Sequence, residues 1–403
     1  MPDAGDFPLG AGLRLEDLER DPHARLAALR EREPVSWVPV LDGWLVTRHD
    51  LALAVMRDPD RFTVDDPRFS TAQVIGPSML SLDGPAHSRQ RSPFVSPFRP
   101  DAVRGRFAEA CAQETERLLD ALEPAGQMEL RRSFAGPLAA HVMARMLGLE
   151  RSEVGELLAW YDAIVAGVTD VTAGRGLPSS AQEAFAGLGA RLERAMDGGD
   201  HGLLGGAAAS LSHSEVVSNA AVLLFGGTET TEGMVANSVL ALLEHPAELP
   251  RARADPRLVD AAIEESLRLE PAAAVIDRYA VTDVELGGTQ IAAGQLVRIS
   301  ISAANRDPAV FVQPDRFDLE RRSARQHVAF AQGPHVCLGV HLARLEARTA
   351  LSGLLRRLPG LRLDPQRPSA VRGLVFRKPP TLHVRWKVGQ SPGIAAKSEK
   401  TPR

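Results

Sequence analysis

The sequence predicts a mainly α protein carrying small β-sheets, organised as a single large domain around one long central helix. Three observations carry that prediction. Leucine and alanine recur at helical spacing through most of the chain, strand-like runs are few and short, and a single helical stretch runs from Ser212 to Glu244. Repeated βαβ units and internal repeats are both absent, which excludes a parallel-sheet architecture and a solenoid.

In chain order, helical spacing predicts helices over Pro22 to Arg32, Ala102 to Leu122, Leu138 to Leu149, Ser180 to Met196 and Val259 to Leu269. Between the first two, Val35 to Val46 predicts a hairpin, with Asp42-Gly43 turning PVSWVPVL into WLVTR. The long helix opens on a capping box, Ser212 with Glu215, and closes at His245-Pro246. At 1.5 Å per residue it would be about 48 Å long, enough to cross the molecule. A rod that long bearing VVSNAAVLLF belongs in the middle of one domain. Strands return at Val281 to Ile291, Leu296 to Ile301 and Leu374 to Trp386, and a further helix runs from Gly339 to Leu355. One domain is expected over residues 1–386, with an unstructured polar tail over 387–403.

Hydrophobic residues make up 44% of the 403 and charged residues 24%, the balance of a soluble globular protein. A net charge of −4 gives no overall attraction to nucleic acid or anionic lipid, and neither is an expected partner. The first residues lack a signal-peptide pattern, and no apolar run reaches the roughly 20 residues of a membrane span. A cytoplasmic monomer is therefore expected. Two cysteines, Cys111 and Cys337, cannot build a disulfide framework.

Three separated clusters hold the chemistry. Inside the long helix, FGGTETT, Phe225 to Thr231, sets two adjacent glycines where each costs about 1 kcal/mol relative to alanine. Bare backbone lets another group approach and lets the helix ladder open, and Glu229 and Thr230 put an acid and an alcohol beside that gap. Close packing against a neighbouring helix would also account for the glycines. In AAIEESLRLEP, Glu265 and Arg268 stand three apart on one helix face and can pair. Exposed, such a pair is worth about 0–1 kcal/mol; the apolar face around it points to partial burial, where an arginine needs partners. In FAQGPHVCLG, Cys337 precedes the helical run from Gly339, so its sulfur lies by a helix N-terminus that favours the metal-binding thiolate. A buried, inert thiol is the commoner fate of a free cysteine. It leaves unexplained Gly333, Pro334 and Gly339, which tighten the backbone around the sulfur.

In this order and near these separations, the clusters resemble those of the cytochrome P450 family, the haem-thiolate monooxygenases, over nearly the whole chain. The loop matches F-x-x-G-x-H-x-C-x-G at Phe330, Gly333, His335, Cys337 and Gly339. GGTETT is similar to the family's oxygen-binding helix segment, Glu265 and Arg268 match E-x-x-R, and DGPAHSRQR, Asp83 to Arg91, is similar to the H-x-x-x-R of a helix beside the haem. AANRDP, Ala303 to Pro308, and PDRFD, Pro314 to Asp318, resemble the stretch leading to the cysteine loop.

The resemblance implies the cytochrome P450 fold, with haem b held by Cys337 as axial thiolate, Phe330 shielding the sulfur, and His87, Arg91, Arg278 and His335 on the propionates. It implies that the helix opens at Gly226 and Gly227 to admit O2, that Glu229 and Thr230 relay protons, and that Arg316 completes a structural triad with Glu265 and Arg268. Thr228, where the family more often has a larger or aromatic residue, either enlarges the distal space or hydrogen-bonds within its own helix, and the second is the favoured reading. The connection from Asp197 to Leu211 is shorter and richer in glycine than the family's usual one. The substrate would be an apolar small organic molecule, hydroxylated, epoxidised or oxidatively dealkylated. Its pocket would be lined by Phe62 to Leu82, Leu223, Leu224, Ala273, Ala274, Val275, Leu374, Val375 and Phe376.

No flavin domain or iron–sulfur cysteine set is expected, so the resemblance implies NAD(P)H-derived electrons delivered by a ferredoxin and its reductase. Arg99, Arg321, Arg322, Arg325 and Arg344 are the candidate docking arginines. The competing reading is a zinc hydrolase, because His327, His335, Cys337 and His341 fall within fifteen residues. It leaves GGTETT, the Glu265 and Arg268 pair and the H-x-x-x-R unexplained. A haem sensor or peroxygenase is a third reading, and neither of those needs an acid–alcohol relay.

Overall fold

The structure, a computed structural model, describes residues 4–149, 154–172, 175–197 and 203–388. Its centre is the helix His213–Glu244, started as the sequence predicts: Ser212 Oγ accepts from the Glu215 amide, and the Glu215 carboxylate accepts from the Ser212 amide at 2.9 Å. From Val216 to Leu242 nearly every residue is buried, the mark of a helix enclosed on all sides. Helices Gly136–Met146, Pro256–Leu269 and Val340–Arg357 pack against it, drawn from both halves of the chain. Helix Pro100–Leu122 covers Val340–Arg357, and Val154–Thr172 pairs with Ser179–Asp197.

Among the described residues there are ten short strands: β1 (Val35–Val38), β2 (Gly43–Val46), β3 (Phe62–Thr63), β4 (Gln127–Glu129), β5 (Val275–Ala280), β6 (Val284–Leu286), β7 (Thr289–Ile291), β8 (Leu296–Ser300), β9 (Arg362–Leu363) and β10 (His383–Arg385). The largest sheet has the order β1-β2-β8-β5-β3; β4-β10-β9 and the β6-β7 hairpin stand apart. The first hairpin pairs Val35 with Val46 and Val38 with Gly43. Its turn is wider than Asp42-Gly43 alone, since Pro39–Leu41 forms a 3-10 turn before Asp42 enters the left-handed region at φ 46°.

Two strand expectations need correction. Leu374 to Trp386 is a strand over His383–Arg385 alone. Pro379 and Pro380 supply no amide donors, and at Gly373 the chain turns at φ 106°, where a Cβ would meet the Phe376 carbonyl oxygen at 2.1 Å. Strand β5 lies in AAAVIDRYA, whose central Asp-Arg pair masked its character. The connection before the long helix holds a short helix, Leu203–Ala208. The expected tail, from residue 389 onward, and residues 198–202 lie outside the described residues. Among the described residues, no helix is long and apolar enough to cross a membrane.

Candidate active site

The cysteine loop is closed by the Cys337 amide donating to the Phe330 carbonyl at 2.8 Å. Gly333 makes the bend possible: its φ is 75°, and a Cβ there would meet the Met56 carbonyl oxygen at 2.3 Å. Gly339 then caps helix Val340–Arg357. Cys337 has exposed surface, yet protein crowds the sulfur so closely that desolvation pushes the thiol above its ordinary range, against the Gly339 amide and the charges of Arg91 and Arg344.

Beside this loop lies a crowded set of basic side chains. His335 Nε2 is 2.7 Å from Asp83 Oδ1, and the His335 ring is 4.4 Å from the ring of His87. Desolvation, followed by the charges of His335 and Arg91, lowers His87 to about 4, and its buried Nε2 has no partner. Arg91 donates to the Val336 carbonyl in the loop itself. Arg278 is buried, donates to the carbonyl of its neighbour Asp277 at 2.7 Å, and is lowered by desolvation to about 10. A buried guanidinium bonded to a backbone carbonyl and an orphaned imidazole nitrogen leave hydrogen-bonding capacity that suits an anionic group. All four residues predicted to hold propionates lie in this cradle. Helix Gly84–Val95, which carries His87 and Arg91, is joined to the start of the long helix by Asn219 donating to Gln90 Oε1 at 2.7 Å and by Arg89 pairing with Glu215.

On the long helix the two glycines separate in purpose. A Cβ on Gly227 would lie 2.2 Å from Met143 Sδ, so this glycine admits the neighbouring helix; a Cβ on Gly226 would meet nothing within 4 Å. The helix does not open here as expected, because Gly226 and Gly227 remain α-helical; Thr230 Oγ1 instead donates to the Gly226 carbonyl at 2.6 Å. Thr228 also differs from expectation: its hydroxyl is buried without a hydrogen-bond partner. Glu229 is buried and pairs with Lys378 at 2.6 Å, a partner no local motif announces.

Glu265 and Arg268 form a bidentate pair with contacts of 2.8 Å, wholly buried. The third member is Arg321 and not Arg316: Arg321 Nε donates to Glu265 Oε1 at 2.8 Å. Arg316 turns its carbonyl inward, accepting from Arg268 at 3.0 Å and Arg321 at 2.9 Å, and that orientation sends its own side chain to the surface. One residue back, Glu264 accepts from Arg344 at 2.6 and 2.8 Å and contacts His327 at 3.2 Å. The Arg344 guanidinium then lies 4.7 Å over the Phe330 ring.

Among the predicted pocket residues, Ala274 donates to the Val375 carbonyl at 2.8 Å, Ala273 bridges Phe376, and the Phe376 ring meets Phe225 edge-on at 5.4 Å. These contacts bring the segments around Val275 and Leu374 against the long helix near Leu223. Leu224 and Phe62 are instead packed in hydrophobic cores, with about 1% of their surface exposed. The predicted zinc set does not assemble: His327 is engaged by Glu264 and His335 by Asp83, and among the described residues no three His, Cys, Asp or Glu side chains gather as metal ligands.

A mainly helical body enclosing one long helix, with a looped cysteine next to a cationic cradle, defines a haem-thiolate enzyme. The cytochrome P450 family profile matches residues 191–383. The 20-oxo-5-O-mycaminosyltylactone 23-monooxygenase of Streptomyces fradiae is 36% identical, aligned over 85% of this chain and 83% of that protein. The cytochrome P450 monooxygenase PikC of Streptomyces venezuelae is 35% identical over 96% of each chain. Among solved structures, CalO2 superposes with a TM-score of 0.84 at 30% identity, covering 93% of this chain and 98% of its own. The chain belongs to the cytochrome P450 family. It is a haem-thiolate monooxygenase, with haem b as prosthetic group, O2 as co-substrate and NAD(P)H-derived electrons.

Proposed function

We propose that this monooxygenase holds its haem through Cys337 Sγ and anchors the two propionates on His87, Arg91, Arg278 and His335. The observation that carries the reading is the cradle beside the loop: a buried His87 Nε2 without a partner, next to a buried Arg278 bonded to a backbone carbonyl. When bound, the haem supplies O2 activation and the oxidising chemistry. The chain's own residues do the rest. Phe330, pinned under Arg344, keeps water from the sulfur; Asp83 orients His335; Gly226 leaves open space on the long helix; and Glu229 and Thr230 carry protons into that space. Glu265, Arg268 and Arg321 hold the backbone that leads to the loop.

The substrate in this reading is an apolar small organic molecule set against Phe225, Val275 and Phe376, and hydroxylation, epoxidation and dealkylation all fit it. The S. fradiae relative, named for oxidising 20-oxo-5-O-mycaminosyltylactone, makes that compound the first to screen. The same reading assigns residues 1–386 to one haem domain, and makes the protein a cytoplasmic monomer served by a ferredoxin and its reductase. Haem affinity of Arg278→Leu tests the cradle. Loss of a hydrogen bond to a charged group costs about 1.5–3 kcal/mol, so affinity should fall about tenfold or more; wild-type affinity would overturn the assignment.

A further inference from the structure

Glu229 and Glu232, three residues apart on the long helix, converge on one ammonium group. Lys378 Nζ lies 2.6 Å from Glu229 Oε1 and 2.7 Å from Glu232 Oε2. Glu232 has a second cation, because Arg131 Nε donates to its Oε1 at 2.8 Å. Arg131 opens the π-helical turn Arg131–Ala135 and also donates to the carbonyls of Pro379 and Pro380, just beyond the lysine. Among the described residues, Lys378 is the one cation paired with Glu229.

The lysine is held from both ends. Its amide and carbonyl pair with Arg372, each at 3.1 Å, and the preceding Arg377 is buried against Glu270 and the carbonyls of Leu18 and Gly373. Its stem runs along the helix at Gly233, within ordinary contact of where a Cβ would stand. The backbone that carries the ammonium is therefore fixed by the C-terminal segment, while the stem lies along the helix it serves.

We propose that Lys378 is a positioning residue for the Glu229 and Thr230 proton relay: it holds Glu229 as the anion, and its second seat on Glu232 lets Glu229 leave when it takes up a proton. This rests on the reading of Glu229 as a proton carrier. The four groups Glu229, Glu232, Lys378 and Arg131 sum to zero charge. If Glu229 were the sole partner, protonating it would strand a buried lysine, which is costly. With Glu232 sharing the lysine, one proton delivered from solvent moves to Glu229, Lys378 keeps its three, and Lys378 and Arg131 share the Glu232 carboxylate. On the packed elements, His141 of helix Gly136–Met146 faces Glu114, Glu264 and Glu265 of helix Pro256–Leu269 hold Arg344 and Arg268, and Glu346 of helix Val340–Arg357 is a buried carboxyl whose Oε2 has no partner.

Two substitutions should move the relay in opposite directions. Lys378→Met keeps the stem and removes the charge, so a buried carboxylate without a cation favours the neutral acid. Infrared spectra of the purified protein at neutral pH should then gain a protonated-carboxyl band that is lost again in the Lys378→Met, Glu229→Gln double variant. The pH profile of coupling, product formed per NAD(P)H consumed, should shift upward. Glu232→Gln leaves the lysine to Glu229 alone, and the same profile should shift downward with at least a twofold loss of coupling at neutral pH. Lys378→Arg should restore wild-type infrared and coupling behaviour. A Lys378→Met protein without the new band, or profiles of Lys378→Met and Glu232→Gln that coincide with wild type, would overturn the proposal. Should Lys378→Met not fold, the Glu232→Gln profile decides alone. Glu229→Gln separates the levels: if it uncouples while both profiles stay in place, this inference fails and the relay stands; if it leaves coupling intact, both fail.

Discussion

Arg268 grips Glu265 through two contacts of 2.8 Å, and neither side chain has any exposed surface. The remaining capacity of the arginine goes to the carbonyls of Asn305, Pro314 and Arg316, which ties helix Pro256–Leu269 to the chain approaching the cysteine loop. Removing one partner of a buried pair leaves the other charge uncompensated, at about 3–5 kcal/mol. Glu265→Ala should lose that much in urea unfolding, and Arg321→Ala should follow it in direction. Arg316→Ala, whose side chain is at the surface, should change stability by less than about 0.5 kcal/mol.

The adjacent glycines offer a controlled comparison. Alanine gains about 1 kcal/mol of helix propensity at either position. At Gly227 the new methyl would meet Met143, and overpacking a buried contact costs about 1–3 kcal/mol. Gly227→Ala should therefore unfold with about 1–3 kcal/mol less stability than Gly226→Ala; equal stabilities would mean that the space over Gly227 is not set by Met143.

Thr230 donates to the Gly226 carbonyl at 2.6 Å, so its hydroxyl already bridges the turn where the relay would act. General-acid help is worth about 10²–10⁴-fold. Thr230→Ala should keep its haem and consume NAD(P)H while product formation drops steeply and peroxide rises. Full coupling in that variant would remove the threonine from the relay.

Two carboxylates predict an acid limit. Burial acts to raise Glu264, but hydrogen bonds from His327 and Arg344 prevail and hold it at about 2; Glu270 is likewise at about 2 through His23, Arg377 and Arg306, again against burial. Both lie below the ordinary 4.5, so the folded state binds fewer protons than the unfolded one in this range. Their stabilisation is complete above about pH 4.5 and is lost as pH falls toward 2. Unfolding free energy should decline across that window, and Glu264→Gln should flatten the decline.

Of the arginines expected to meet a ferredoxin, Arg321 and Arg344 are occupied by Glu265 and Glu264, whereas Arg99, Arg322 and Arg325 are exposed. Charge reversal at Arg322 or Arg325 should slow reduction by an acidic ferredoxin and weaken its dependence on salt, read by stopped-flow at varied ionic strength.

What could be read in advance was local in sequence. The Ser212 box, the spacing of the loop from Phe330 to Gly339, and the pairing of Glu265 with Arg268 all lie within a turn or two of chain, where geometry follows from spacing. What escaped depends on contacts across the fold. Arg316 and Arg321 are equally plausible partners for Glu265 until the backbone direction at residue 316 is known. The close approach of Met143 to Gly227 and the Thr230 back-bond to Gly226 are likewise set by packing across helices and by side-chain geometry, not by spacing. Lys378 sits in a segment read as a strand, 149 positions from Glu229, and nothing near it in the chain signals a carboxylate partner.

The central claim is that Cys337 ligates haem iron as a thiolate, and ligation of carbon monoxide by the reduced protein tests it most directly. The account predicts the strongly red-shifted Soret band of thiolate-bound haem, abolished in Cys337→His. A carbon monoxide complex absorbing where imidazole-ligated haem does, with the wild-type cysteine in place, would contradict it.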